Sequence, residues 1–142
     1  MEHHSNLVPW QIVTEKTSSP LKYISINRDG TLDLTNLNSL LENSGIVAVV
    51  HQSNVFGTIN PIREIIDAAK SKNIITLVDG AQAAPHFPVD ISKIDCDFYT
   101  FSGHKMVGPT GAGVLIGRKS LLEDMNPFMG GGEMINLSLI HI

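Results

Sequence analysis

The sequence predicts an α/β fold with a mainly parallel sheet and helices on both faces. Three features carry the prediction. Ile46 to Val50 is a continuous β-branched run without polar alternation, as expected of a strand covered on both sides. Ile62, Ile65, Ile66 and Ala69 recur on one stripe, as in a helix lying on a sheet. Ile74 to Val78 follows as a second apolar run, so strand, helix and strand in that order predict a right-handed parallel crossover over Ile46 to Asp79.

Each further element has a local signal. Lys22 to Ile26 alternates and stops at Asn27-Arg28-Asp29-Gly30, which predicts a short strand ending in a turn. Thr35 is placed to cap a short helix carrying Leu37, Leu40 and Leu41, with Gly45 beyond its end. Asn60 is the expected cap of the next helix, with Pro61 at its first position. Phe98 to Phe101 and Gly113 to Ile116 read as strands, and Leu121 to Met125 as a helical turn.

Composition narrows the function classes. With 142 residues, 42% of them hydrophobic, the chain supports one buried core. A net charge of -4 and scattered Lys and Arg residues give no footprint for nucleic acid. No apolar run approaches the ~20 residues of a membrane span and no signal peptide is recognisable, so no membrane partner and a cytoplasmic location are expected. The lone Cys96 can form neither an internal disulfide nor a thiolate metal site. Histidines lack metal-ligand spacing: His51 reads as structural, His86 as a loop residue, and no metal site is assigned.

In open α/β sheets ligands sit beyond the carboxyl ends of strands, so polar residues there carry the search. Those ends are His51-Gln52-Ser53-Asn54, Asp79-Gly80-Ala81-Gln82 and Ser102-Gly103-His104-Lys105. Asp79 before glycine is commonly a turn former, and Lys105 alone could be a surface lysine, in a stretch too glycine-rich for a helix. Together they fit pyridoxal-phosphate chemistry. That chemistry needs a lysine to form a Schiff base with the aldehyde and an acid to keep the pyridine nitrogen protonated. Ser102 and His104 could donate to the phosphate, whereas the spacing of a P-loop is absent. By itself the His3-His4 pair reads as a solvated terminus or tag remnant.

Five phrases then stand in order: residues 2–10 (EHHSNLVPW), 53–57 (SNVFG), 78–82 (VDGAQ), 101–105 (FSGHK) with 108–111 (GPTG), and 130–135 (GGGEMI). In that order they resemble the group II, SufS-like cysteine desulfurases and selenocysteine lyases, of the class V aminotransferase branch of fold-type I enzymes. The resemblance implies part of the large cofactor-binding domain over residues 1–135, with a tail at 136–142 that does not resemble the family. It implies Lys105 as the Schiff-base lysine, Asp79 at the pyridine nitrogen, Gln82 and Asn54 at the phenolic oxygen, and His3 stacked on the ring. Ser102 and His104 would hold the phosphate. The match of the whole phrase through Trp10 overrides the tag reading of His3.

The implied reaction takes sulfur from L-cysteine, or selenium from selenocysteine. It leaves L-alanine and a persulfide for iron-sulfur cluster assembly through a sulfur-acceptor protein, in a homodimer. The family's acceptor cysteine and substrate-binding arginines lie beyond the segment represented, so the chain reads as a piece of a longer enzyme, inactive by itself. Cys96, between Asp95 and Asp97, reads as a packing residue whose thiol pKa the aspartates raise. Alternatives are another class V enzyme, such as a kynureninase-like hydrolase or an aminotransferase, and a non-catalytic remnant.

Overall fold

In the computed structural model, residues 1–127 and Gly130 are described. Four strands form one sheet in the order β1 (Ile46–Val50), β2 (Ile75–Asp79), β3 (Phe98–Ser102), β4 (Gly113–Gly117). The first three run parallel, and β4 closes the order antiparallel to β3. Val50 pairs with Asp79, and Asp79 with Thr100, so the carboxyl ends of β1, β2 and β3 finish on one edge of the sheet.

Six α-helices are described: α1 (Val8–Thr17), α2 (Leu37–Leu41), α3 (Ile62–Lys70), α4 (Ala83–His86), α5 (Ile91–Ile94) and α6 (Lys119–Asp124). The crossover is as expected: α3 buries Ile62, Ile65, Ile66 and Ala69, and the last three are at most 1% exposed. They meet Val49, Val78, Leu37, Leu41 and Tyr99 in the core. Truncating such an isoleucine to alanine costs about 2–5 kcal/mol, through lost burial and the cavity left behind.

Several local expectations are corrected. Lys22 to Ile26 forms no strand; a single antiparallel bridge joins Ile26 to Leu32. Thr35 does not cap α2: its own N–H and hydroxyl donate to Asp33 Oδ1, at 3.0 and 2.6 Å, so Asp33 organises that turn. Asn60 does not cap α3 either. Pro61 is the capping position, and the Asn60 side chain turns back to donate to the Val50 carbonyl at 2.8 Å. His86 ends α4 instead of lying on a loop, and Gly103–Met106 closes into a 3-10 turn despite its glycine. The phrase at 130–135, apart from Gly130, and the tail at 136–142 lie outside the described residues.

Cys96 is buried, as expected of a packing residue, and its thiol is pushed up to about 11. Burial is the main cause; Asp97 adds a smaller push, and Asp95 is not among the causes. Among the described residues no helix is long and apolar enough to cross a membrane, and no three His, Cys, Asp or Glu side chains cluster as a metal site would require.

Candidate active site

A cleft of about 310 Å³ opens at the carboxyl edge of the sheet. It is lined by His3, Ser5, Val50, Asn54, Asp79, Ala81, Gln82, Ser102, His104 and Lys105. Every residue singled out from the sequence as a site residue is therefore on its wall. Strand geometry explains the convergence: three parallel strands end side by side, β2 and β3 on the polar residues Asp79 and Ser102, and β1 just before His51.

Asp79, at the end of β2, is 5% exposed. Its Oδ1 accepts the Ala81 N–H at 2.9 Å, which fixes the carboxylate against its own turn. Gly80 makes this close packing feasible. A Cβ there would lie 2.1 Å from the Tyr99 ring, so any side chain would displace the tyrosine or the Asp79 turn. Beneath it, Tyr99 Oη and His51 Nδ1 are 3.0 Å apart, and His51 meets Phe87 edge-on with ring centres 5.2 Å apart. Burial depresses the His51 pKa below its ordinary value, consistent with the structural reading of that histidine.

Ser102 ends β3, and His104 and Lys105 sit in the 3-10 turn that follows. Lys105 is half-buried and makes no salt bridge among the described residues. The turn ends at Val107, whose φ of 61° is rare for a β-branched residue and marks local strain beside the lysine. Gly108 donates its N–H back to the Gly103 carbonyl at 2.9 Å, and a Cβ on Gly108 would crowd that carbonyl oxygen at the same distance.

Asn54 rides on a loop organised by buried Ser53, whose hydroxyl accepts the N–H groups of Val55 and Phe56 at 3.2 Å each. Gln82 precedes α4 and makes no side-chain hydrogen bond among the described residues. His3 comes from the amino-terminal segment. Its Nδ1 is 3.2 Å from the Ser5 N–H, which donates to it, and 2.7 Å from Ser5 Oγ. Sequence reasoning missed Ser5 as a wall residue, although it belongs to the phrase that carries His3.

A larger cavity, about 540 Å³, lies between α1, α2 and the open edge of β1. Its walls include Leu7, Trp10, Ile24, Leu37 and Val47, and it lacks the convergent ionisable set of the smaller cleft. It is an apolar gap along a sheet edge, so the chemistry is assigned to the smaller cleft.

The donor set suits pyridoxal phosphate. A buried carboxylate lines the cleft, the Lys105 amine has no acidic partner among the described residues, and hydroxyl, imidazole and amide groups share the same wall, a set that could complement a cationic ring nitrogen, a phosphate and a phenolic oxygen.

The model of the family described as Aminotransferase class-V matches residues 1–141. A probable cysteine desulfurase from Halalkalibacterium halodurans is 51% identical over 137 residues, 96% of this chain and 34% of that protein. Among solved structures, the cysteine desulfurase CsdA from Escherichia coli superimposes with a TM-score of 0.91 at 44% identity, over 97% of this chain and 35% of that one. The apo cysteine desulfurase from Thermococcus onnurineus NA1 gives 0.89 at 40% identity, over 97% and 35%. The chain thus spans about a third of the length of the relatives it matches.

Proposed function

The chain belongs to the class-V aminotransferase family, with the α/β fold of the fold-type I pyridoxal-phosphate-binding domain, and from that premise we propose that it forms the cofactor-binding part of a cysteine desulfurase. The carrying observation is that one cleft gathers His3, Asn54, Asp79, Gln82, Ser102, His104 and Lys105. We read residues 1–135 as the partial large domain of a longer, cytoplasmic, homodimeric enzyme of the SufS-like group, with 136–142 a divergent tail. Its reaction would convert L-cysteine, or selenocysteine, to L-alanine. The released sulfur would pass to an enzyme cysteine and then to an acceptor protein for iron-sulfur cluster assembly.

When bound, pyridoxal phosphate supplies an aldehyde for the substrate amine and a ring that takes up the electron pair left at the α-carbon. The protein's own groups do the rest. Lys105 would carry the cofactor, and its Nζ, once released as a free amine, would take and return the α-proton. The Asp79 carboxylate would hold a proton at the ring nitrogen. Its burial strengthens that pairing, because little water competes for the charge. Gln82 and Asn54 would hydrogen-bond the phenolic oxygen, Asn54 also reaching the substrate carboxylate. Ser102 and His104 would bind the phosphate, and His3 would cover the ring face and exclude water. Cys96 has no part in this: it packs in the core, is not on the cleft wall, and burial pushes its thiol up to about 11, which disfavours the nucleophilic thiolate. The acceptor cysteine is therefore assigned outside this chain.

The deciding experiment is borohydride reduction of the loaded full-length enzyme, followed by peptide mapping. The phosphopyridoxyl group is expected on Lys105. Its recovery on Lys93 or Lys119 would overturn the assignment.

A further inference from the structure

The way the amino-terminal segment is fastened to the sheet singles out a residue that none of the assigned roles includes. Glu2 Oε1 accepts the Val50 N–H at 3.0 Å, and Glu2 Oε2 accepts from Asn6 Nδ2 at 2.5 Å. Asn6, itself 8% exposed, accepts the Trp10 indole N–H on Oδ1 at 3.1 Å and donates its own backbone N–H to the His3 carbonyl at 2.8 Å. The Val50 N–H is available because alternate amides of a strand point to opposite sides: the next one, on His51, is engaged by the Asp79 carbonyl of β2. Val50 is also the register partner of Asp79 and a wall of the cleft.

His3 is thus held on both sides, by the side chain of the residue before it and by a backbone bond from Asn6. From this geometry we infer that Glu2 is a positioning residue for His3, clamping the His3 turn onto the end of β1 through paired acceptors facing Val50 and Asn6. The inference rests on the proposed role of His3 at the cofactor face. The carboxylate suits the task because both oxygens accept and both meet donors. Its half-buried position costs desolvation, which raises its pKa, and the nearby Asp79 charge adds to the rise. A carboxylate kept in that place, where an uncharged residue would avoid the penalty, fits a residue needed for its two acceptor atoms.

Glu2→Gln tests this in the full-length enzyme, since the amide sets one donor against a donor. In the cofactor-free protein, hydrogen-deuterium exchange over residues 3–10 and at Val50 is expected to quicken by about tenfold, as the closed clamp opens locally. In the loaded enzyme, cofactor content should be retained and kcat should fall about tenfold to a hundredfold, with KM changed by less than about threefold. In a His3→Ala background the same change should cost nothing further, whereas a general structural role would cost as much in either background. Glu2→Gln combined with Asn6→Asp exchanges donor and acceptor across the pair and is expected to restore exchange protection and kcat. Unchanged exchange, or equal losses in both backgrounds, would overturn the inference. An impaired His3→Ala enzyme beside an unimpaired Glu2→Gln enzyme overturns it alone, while a fully active His3→Ala enzyme removes the cofactor-face role of His3 and this inference together.

Discussion

The two ends of the sheet use polar residues in opposite ways. At the amino end, Asp97 Oδ2 accepts both the N–H and the hydroxyl of Thr76 at 2.8 Å, and its Oδ1 accepts from Arg118 Nε at 2.7 Å. The Thr76 hydroxyl in turn accepts the Asp97 N–H at 2.9 Å, and Asp95 pairs with both Arg118 and Lys70. These groups satisfy one another and tie β2, β3 and β4 together. At the carboxyl end, among the described residues, Asp79 has one side-chain partner, the Ala81 N–H, and Lys105 has no acidic one. Buried or half-buried ionisable groups left under-partnered within the protein are costly unless something else completes them. An aspartate near a strand therefore declares its role by what surrounds it.

The sharpest test of this contrast is Asp79→Ala in the full-length enzyme. The cofactor should still attach to Lys105, bound more weakly, while α-proton exchange with solvent falls by about a hundredfold or more, as the ring loses its proton-holding partner. Solvent-deuterium incorporation into the amino acid measures the rate. Near-normal exchange would mean that the carboxyl end is no more functional than the amino end.

The reciprocal change is Asp97→Ala. Here folding stability should fall by about 1–3 kcal/mol, because the N–H and hydroxyl of buried Thr76 lose their acceptor, while Arg118 loses only its Nε partner and keeps Asp95. Activity per folded, cofactor-loaded molecule should be unchanged. Denaturant titration alongside active-site-normalised kinetics separates the two, and a kinetic defect without a stability loss would erase the distinction between the ends.

Much of the carboxyl end was legible because strand ends are marked by abrupt changes of residue type. Asp79-Gly80 and Ser102-Gly103 follow apolar runs directly, and the cleft residues other than Val50 belong to the phrases that carry the family resemblance. What escaped has physical reasons. α1 buries no residue at all, so there was no apolar stripe to read. Asn60 before Pro61 has the pattern of a helix cap, yet an open carbonyl on Val50 claimed its side chain. Lys22 to Ile26 alternates like a strand, but among the described residues only the single Ile26–Leu32 bridge meets it. In each case tertiary partners decided between local structures that the residues themselves allow.

Also at the carboxyl end, directly after β1, is His51, and its titration gives the smallest and most specific effect. The histidine is 8% exposed, lies 3.0 Å from the Tyr99 hydroxyl and packs against Phe87, while burial holds its pKa below the ordinary 6.5. In the unfolded chain the imidazole takes a proton near 6.5, whereas the folded state resists it down to lower pH. The unfolded state therefore binds more protons in the interval between the two values. Stability rises with pH across that interval, is fully present above 6.5, and is lost as pH falls below it toward the depressed folded value. Replacing His51 with glutamine keeps a polar group near Tyr99 but removes the titration. The variant is expected to be less stable than wild type at pH 7.5, with that deficit shrinking at pH 5.5, and the pH-dependent part should be smaller than the loss caused by Asp97→Ala. Denaturation midpoints of both proteins at the two pH values read the difference directly. A deficit that is constant, or that widens in acid, would show that His51 is not held neutral under the cleft, and would reopen it as an ionisable participant in the site.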